Sequence, residues 1–380
     1  MTARILPGAT LGMLGGGQLG RMFTIAALNM GYRVIVLDPD PLSPAGQLAS
    51  DHLCAGYDDQ TALDDLADRC AAVSTEFENV PAASLRRLAA RLPVRPGAEA
   101  VEIAQDRLRE KTFARRAGLA TARFREVRAP QDIAPAWAAM RGAAAILKTA
   151  RLGYDGKGQA LCHSEHAVHE AFATFGMLPC VLEQRVDLAL EVSVLLARGA
   201  DGAISCFPPA ENSHADGILD VSCVPARIEP GVARRATQMA TALAEALDYV
   251  GVLAVELFLT EDDELLVNEI APRPHNSGHY SLDATACSQF EQQVRMLCGL
   301  PAGDVRLLSP VAMVNLLGDL WGDSAPRWEA LLENPAARLH LYGKAEARPG
   351  RKMGHFNLLA ADVDAAVAAA LAIKRELRRD

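Results

Sequence analysis

"VELFLTEDDELLVNEI", residues 255–270, is the stretch on which the reading of the chain turns. Apolar residues fill both halves, and the acidic run Glu261-Asp262-Asp263-Glu264 between them reads as a turn, so the segment is an antiparallel hairpin. With its turn centred between residues 262 and 263, a symmetric hairpin sets Glu256 directly opposite Glu269. Directly opposed residues have Cβ atoms about 4.5–5.5 Å apart, and like charges there are destabilising. Two remedies are open: one carboxyl holds a proton through a raised pKa, or a cation binds between the two. Carboxylate oxygens beside Asn268 suit magnesium better than zinc, and magnesium usually completes its shell with water and substrate phosphates. That chemistry points to a nucleotide triphosphate. A solvated acidic hairpin is the plain alternative, and the apolar flanks "VLAV" and "LLV" weaken it.

Three further stretches carry charge in unusual places. In "KTARLGYDGKGQ" (148–159), Lys148 ends an apolar strand within reach of a phosphate, and Gly153, Gly156 and Gly158 make a loop that carries Lys157. Such a loop closes over phosphates and excludes water; the order of a Walker A loop is absent, and a bare glycine-rich hairpin is the alternative. Directly after Glu269, "APRPHNSGH" gathers Arg273, His275, Asn276, Ser277 and His279, donors suited to a small anion. "YGKAEARPGRKMGH" (342–355) concentrates Lys344, Arg348, Arg351, Lys352 and His355 in an otherwise acidic chain, either as a basic surface run or as a clamp on a substrate phosphate.

At the other end, "LGMLGGGQLGRM" (11–22) has Gly15, Gly17 and Gly20 in G-x-G-x-x-G spacing, followed by a helix and the strand "RVIVLD" ending at Asp38. This suits a dinucleotide, another anionic ligand or a purely structural turn. An NAD-dependent oxidoreductase is therefore one reading, and the remaining chain has to decide it.

The 380 residues exceed one ordinary core and imply two or three domains. A net charge of −9 without a long basic run excludes nucleic acid as the main partner. No apolar stretch reaches membrane-spanning length, and the eight scattered cysteines lack a C-x-x-C pair, so reduced thiols in a cytoplasmic enzyme are expected. Strands and helices alternate to a Pro/Gly break near residue 100, giving an α/β domain over 1–104. An α+β domain follows over 105–300, with a long helix from Val232 to Asp248, and a small β-rich domain over 301–380 closes the chain.

Taken in order, "GGGQLGRM", "TEFENV", "GYDGKGQ", "ENSHADGIL", "NEIAPRPHNSGHYSLDA" with "SQFEQ", and "RPGRKMGH" resemble the ATP-grasp superfamily, and within it the 5-(carboxyamino)imidazole ribonucleotide synthases of purine biosynthesis. The resemblance covers nearly the whole chain. It implies a Rossmann-like pre-ATP-grasp domain, an ATP-grasp domain with a lid, and a homodimer. It implies a carbon–nitrogen ligase: ATP phosphorylates bicarbonate to carboxyphosphate, which delivers carbon dioxide to the amine of aminoimidazole ribonucleotide. ATP contacts carried over are Arg107, Lys148, the loop Gly153, Tyr154, Asp155, Gly156, Lys157, Gly158 and Gln159, and the adenine-reading segment Glu183, Gln184, Arg185 and Val186. Glu191 falls on the ribose, His214 near the nucleotide, and Glu256 and Glu269 on magnesium with Asn268 assisting. The ribonucleotide falls to Gln18, Glu76, Asp155, Lys344 and Arg351, and bicarbonate to Arg273, His275 and Asn276. Ala150 and Leu152 depart from the arginine or glycine that many relatives carry before the loop. The neighbouring alternative is a formate-dependent glycinamide ribonucleotide transformylase.

Overall fold

The apolar run Leu11–Leu14 is buried on both faces, as a central parallel strand requires. The computed structural model describes residues 4–153, 157–322 and 324–378; Tyr154, Asp155 and Gly156 of the expected closing loop lie outside the described residues. Strand Thr10–Leu14 pairs in parallel with Arg33–Leu37 and Ala72–Thr75, and Asp51–Leu53 adds the edge of this four-stranded sheet. The helices between them start where sequence chemistry allows: the Asp59 carboxylate accepts the amides of Thr61 and Ala62, and Pro81 precedes Ala82–Ala89.

Helix Arg107–Arg116 opens on Asp106, whose carboxylate accepts the Leu108 and Arg109 amides. Helical spacing then puts Arg107, Glu110 and Lys111 on one face. That face turns inward, since Glu110 and Lys111 are each about 1% exposed.

Two antiparallel sheets follow. The smaller orders Phe124–Val127, Cys180–Gln184, Ala145–Thr149 and Gln159–Cys162. The larger has nine strands among the described residues and runs from hairpin Gly251–Thr260/Leu265–Ala271 through Leu188–Arg198, which Ile204–Cys206 also pairs, to Ala210–Ala215 and Ile218–Val224. It continues without a break into Val311–Leu317, Lys352–Leu359 and Ala337–Leu341, so the strands of the closing segment cover what would otherwise be an exposed edge at Ile218–Val224. The long helix is Pro230–Ala246, two residues N-terminal of the expected span, because Pro230 has the backbone angle of a first helical residue. Its stripe Val232, Ala236, Ala240 and Leu243 packs on Val194, Leu196, Leu253 and Val255 of the large sheet.

The hairpin has the expected pair by a different route. Its loop is Glu261-Asp262-Asp263, with Asp263 left-handed (φ 60°), and Leu259 pairs with Leu265. Leu257 therefore faces Val267, and an unbroken ladder would put Asn268 opposite Glu256. The register instead shifts between Glu256 and Leu257, so Glu269 takes that place and Asn268 is the extra residue of a β-bulge.

Candidate active site

The bulge turns two successive side chains, Asn268 and Glu269, into one cavity with Glu256. Burial raises the Glu256 carboxyl to about 7, and the charge of Glu269 adds to the shift. Each carboxylate has one oxygen committed: Glu256 Oε1 lies 3.1 Å from His275 Nε2, and Glu269 Oε2 accepts from Arg107 Nη1 at 3.1 Å. The remaining donors are hard oxygens, and Asn268 Oδ1 is buried without a hydrogen-bond partner among the described residues. A small oxygen-seeking cation such as magnesium fits this donor set.

Helix Arg107–Arg116 holds the bulge in place. The Ile270 amide donates to Glu110 Oε1, and Lys111 Nζ donates to the Asn268 carbonyl at 3.2 Å. Lys111 also lies 3.3 Å from Glu183 Oε1, while Lys148 binds Glu183 Oε2 at 3.0 Å. Burial opposes the Glu183 charge, yet Lys111 and Lys148 together hold its carboxyl at about 2. The Lys148 ammonium is pushed down by burial, with Glu183 pulling the other way. Lys111 thus ties the small sheet to the large one beside Lys148.

The main cavity, about 480 Å³, also takes in Gln18, Glu76, Lys157, Gly158, Gln159, Glu191, His214, Arg273, His275 and Asn276. A second cavity of about 440 Å³ is lined by Glu183, Gln184, Arg185 and Val186 and shares Ile146, Lys148, Leu188 and Phe258 with the first. The Glu183 side chain is committed to the lysines, and the Gln184 and Arg185 amides donate to the carbonyls of Arg123 and Ala144, each at 2.8 Å. His214 pairs with Glu191 at 3.0 Å; burial lowers its pKa, but the Glu191 hydrogen bond and charge overcome that and raise it. Gly153 stands outside both cavities, its carbonyl accepting from Arg107 Nη2 at 3.2 Å. Lys344 reaches the main cavity through Gln18 Oε1 and also donates to the Lys352 carbonyl at 2.7 Å. Arg351 is not brought in: its guanidinium donates to the Glu346 carbonyl at 3.0 Å, and Lys352 lines the cavity instead.

Arg273 is held by Glu78, whose Oε2 accepts from its Nε at 2.6 Å. Burial raises the Glu78 carboxyl, but the guanidinium outweighs it and leaves the pKa below the ordinary range. Glu78 was missed in the sequence although a signal was present: in "TEFENV" it stands two residues after Glu76, so an extended chain puts both acids on one side. Asn276 is buried, and neither its side-chain nitrogen nor its oxygen has a partner among the described residues.

The glycine turn wraps a carboxylate of the protein itself. The Gly20 amide donates to Glu76 Oε2 at 2.7 Å, and a Cβ on Gly15 (φ +106°) would lie 2.5 Å from Glu76 Cγ. Asp38, the acid an NAD reading needs for ribose, accepts from the Gly16 amide at 2.6 Å, Tyr57 Oη at 2.6 Å and the Asp40 amide at 2.8 Å. It therefore braces the turn instead of facing a ligand.

Burial pushes the Glu76 carboxyl up to about 7 against the pull of the Gly20 amide. In the unfolded chain it titrates near about 4.3, so the stability this group contributes is complete below that value and is lost as pH rises through about 7. Glu76→Gln removes the titration. Its melting temperature relative to the parent should climb between pH 5 and pH 8 in a thermal-shift series, and a flat or falling difference counts against the assignment.

Comparison with known proteins agrees with this geometry. Residues 8–105 match the ribonucleotide synthetase preATP-grasp domain, 112–290 the ATP-grasp domain, and 311–369 the phosphoribosylaminoimidazole carboxylase C-terminal domain. The N5-carboxyaminoimidazole ribonucleotide synthase of Bacillus subtilis is 45% identical over 93% of this chain and 92% of its own. A solved N5-carboxyaminoimidazole synthetase of Staphylococcus aureus complexed with ADP superposes with a TM-score of 0.92 at 38% identity, over 98% of each chain. The Aspergillus clavatus synthase in complex with ADP and 5-aminoimidazole ribonucleotide does so with a TM-score of 0.90 at 30% identity, over 97% of this chain and 98% of its own. By sequence over nearly its full length and by fold, the chain belongs to the N5-carboxyaminoimidazole ribonucleotide synthase family of ATP-grasp enzymes.

Proposed function

We infer that this ATP-grasp ligase carboxylates 5-aminoimidazole ribonucleotide with bicarbonate at the expense of ATP, giving N5-carboxyaminoimidazole ribonucleotide, ADP and phosphate for purine synthesis. The observation that carries the site assignment is the bulged hairpin, which gathers Glu256, Asn268 and Glu269 into a cavity that Lys148, Arg273 and the unpartnered Asn276 also enter.

The adenine ring lies along the backbone of 184–186, where the Val186 amide supplies the donor and a neighbouring carbonyl the acceptor, the Gln184 and Arg185 amides being bonded to Arg123 and Ala144. Lys148 neutralises phosphate charge, its position set by Glu183. Glu256 and Glu269, with Asn268, would hold magnesium, which would supply charge neutralisation at the phosphates. Bicarbonate lies beside Arg273 and Asn276, so that its oxygen attacks the γ-phosphorus in line and ADP departs. Carboxyphosphate then breaks its C–O bond to phosphate, and the released carbon dioxide meets the ribonucleotide amine, which forms the new N–C bond and loses a proton. Gln18 and Glu76 orient the imidazole, with Lys344 bound to Gln18 behind them. The loop around Asp155 and Lys157 keeps water from the labile intermediate. The enzyme works as a homodimer in the cytoplasm, as the family resemblance implies; among the described residues no helix is long and apolar enough to cross a membrane.

The test is ADP release measured with each substrate omitted in turn. Full turnover requires bicarbonate and aminoimidazole ribonucleotide together. Activity with formate and glycinamide ribonucleotide instead moves the chain's function to the transformylase reaction.

A further inference from the structure

Behind His275 runs a chain of buried polar side chains that the reaction described above does not use. Ser222 Oγ donates to Asn212 Oδ1 at 2.7 Å, Asn212 Nδ2 to Ser193 Oγ at 2.9 Å, and Ser193 Oγ to Ser277 Oγ at 2.7 Å. Ser277 Oγ then lies 2.8 Å from His275 Nδ1, and His275 Nε2 lies 3.1 Å from Glu256 Oε1. Ser193, Ser222 and Ser277 are fully buried and Asn212 is 7% exposed, so water does not compete for these bonds. The strands align the chain: Ser193 pairs in register with Glu256, and Asn212 with Ser222.

The direction of every bond follows from one fixed point. The Ser277 backbone N–H donates to His275 Nδ1 at 3.3 Å, and a backbone N–H can only donate. Nδ1 is therefore an acceptor and carries no proton. The imidazole proton belongs on Nε2, where it meets the Glu256 carboxylate. Ser277 Oγ must also donate to Nδ1, so it accepts from Ser193, which in turn accepts from the Asn212 amide. Ser222 holds that amide with its nitrogen toward Ser193.

We propose that Ser277, Ser193 and Asn212 are positioning residues that fix His275 as an Nε2–H donor to Glu256 Oε1, so that this carboxylate presents its other oxygen to the cation and phosphates in a set direction. The proposal rests on the carboxylation reading of the site. Outer groups that orient a ligand side chain commonly matter by one to two orders of magnitude. Asn212→Asp is the sharpest probe because it keeps the shape and replaces the amide donor with an acceptor, which turns the Ser193 hydroxyl round and draws it from Ser277. Ser193→Ala breaks the same chain without offering a new acceptor, so Ser277 Oγ and the Ser277 N–H still donate to Nδ1 and the variant serves as the control.

The experiment records long-range proton–nitrogen spectra of the full chain labelled with 15N-histidine, with the His275 signals assigned by their loss in His275→Asn. The parent should show the Nε2–H tautomer at His275. Among variants whose melting temperature shows them folded, Asn212→Asp should populate the Nδ1–H form and lower kcat roughly tenfold, with the KM for ATP within twofold of the parent, whereas Ser193→Ala should keep the Nε2–H form. An Nδ1–H parent, an unchanged tautomer in Asn212→Asp, or a shifted tautomer with unchanged kcat each overturns the proposal. The parent spectrum answers independently of turnover, so an enzyme inactive on bicarbonate and the ribonucleotide sinks the functional reading alone.

Discussion

Glu269→Gln should lower kcat by about a thousandfold or more while circular dichroism and melting temperature stay close to the parent. The substitution keeps the shape of the side chain and removes one of the two negative charges that face each other across the bulged hairpin. Repulsion of Glu256 is relieved, so folding loses little. Phosphoryl transfer loses more, because the cation proposed to offset charge at the triphosphate would be held by one carboxylate and an amide oxygen. The Arg107 guanidinium, 3.1 Å from Glu269 Oε2, would also lose its charged partner. Steady-state rates at saturating ATP with a magnesium titration decide the matter; near-parent kcat would remove Glu269 from the metal pair.

Lys111→Met should damage stability and ATP use together. Lys111 is about 1% exposed and shares Glu183 with Lys148. Removing one member of such a buried charge group costs on the order of 3–5 kcal/mol, so the melting temperature should fall by several degrees or more. Lys148 would then be the only lysine holding Glu183, drawn away from phosphates, and the KM for ATP should rise. Loss of the Lys111 bond to the Asn268 carbonyl loosens the bulge as well. Adding Glu183→Gln removes the uncompensated carboxylate, so the double variant should recover part of the stability. Additive losses in the double variant would contradict the shared-charge account.

The hairpin shows what was legible in the sequence and what was not. Glu256 and Glu269 are found as a pair because two apolar strands flank a short acidic turn. The expected register was one residue out near the turn, and the bulge at Asn268 restored it. No local pattern announces that bulge; it is fixed by Glu110 and Lys111, about 160 residues earlier, and by a bridge between Thr121 and Val267. For the same reason no local pattern singles out Lys111 and Glu110, their burial being a matter of tertiary packing. Asp38 is the opposite case, since its position matched a cofactor motif while its carboxylate serves the turn beside it. Arg351, expected at the substrate from the family resemblance, stands just before strand Lys352–Leu359 with its guanidinium on the Glu346 carbonyl, while Lys352 lines the cavity.

The central claim, that this cavity joins a phosphoryl group to bicarbonate before carbon reaches the amine, is tested most directly with 18O-labelled bicarbonate. When carboxyphosphate breaks at its C–O bond, one bicarbonate oxygen stays on phosphorus. Mass analysis of the phosphate formed with ATP and aminoimidazole ribonucleotide should therefore show one labelled oxygen per turnover. Phosphate whose new oxygen comes only from water would contradict the account, because ATP would then be hydrolysed and not spent on bicarbonate.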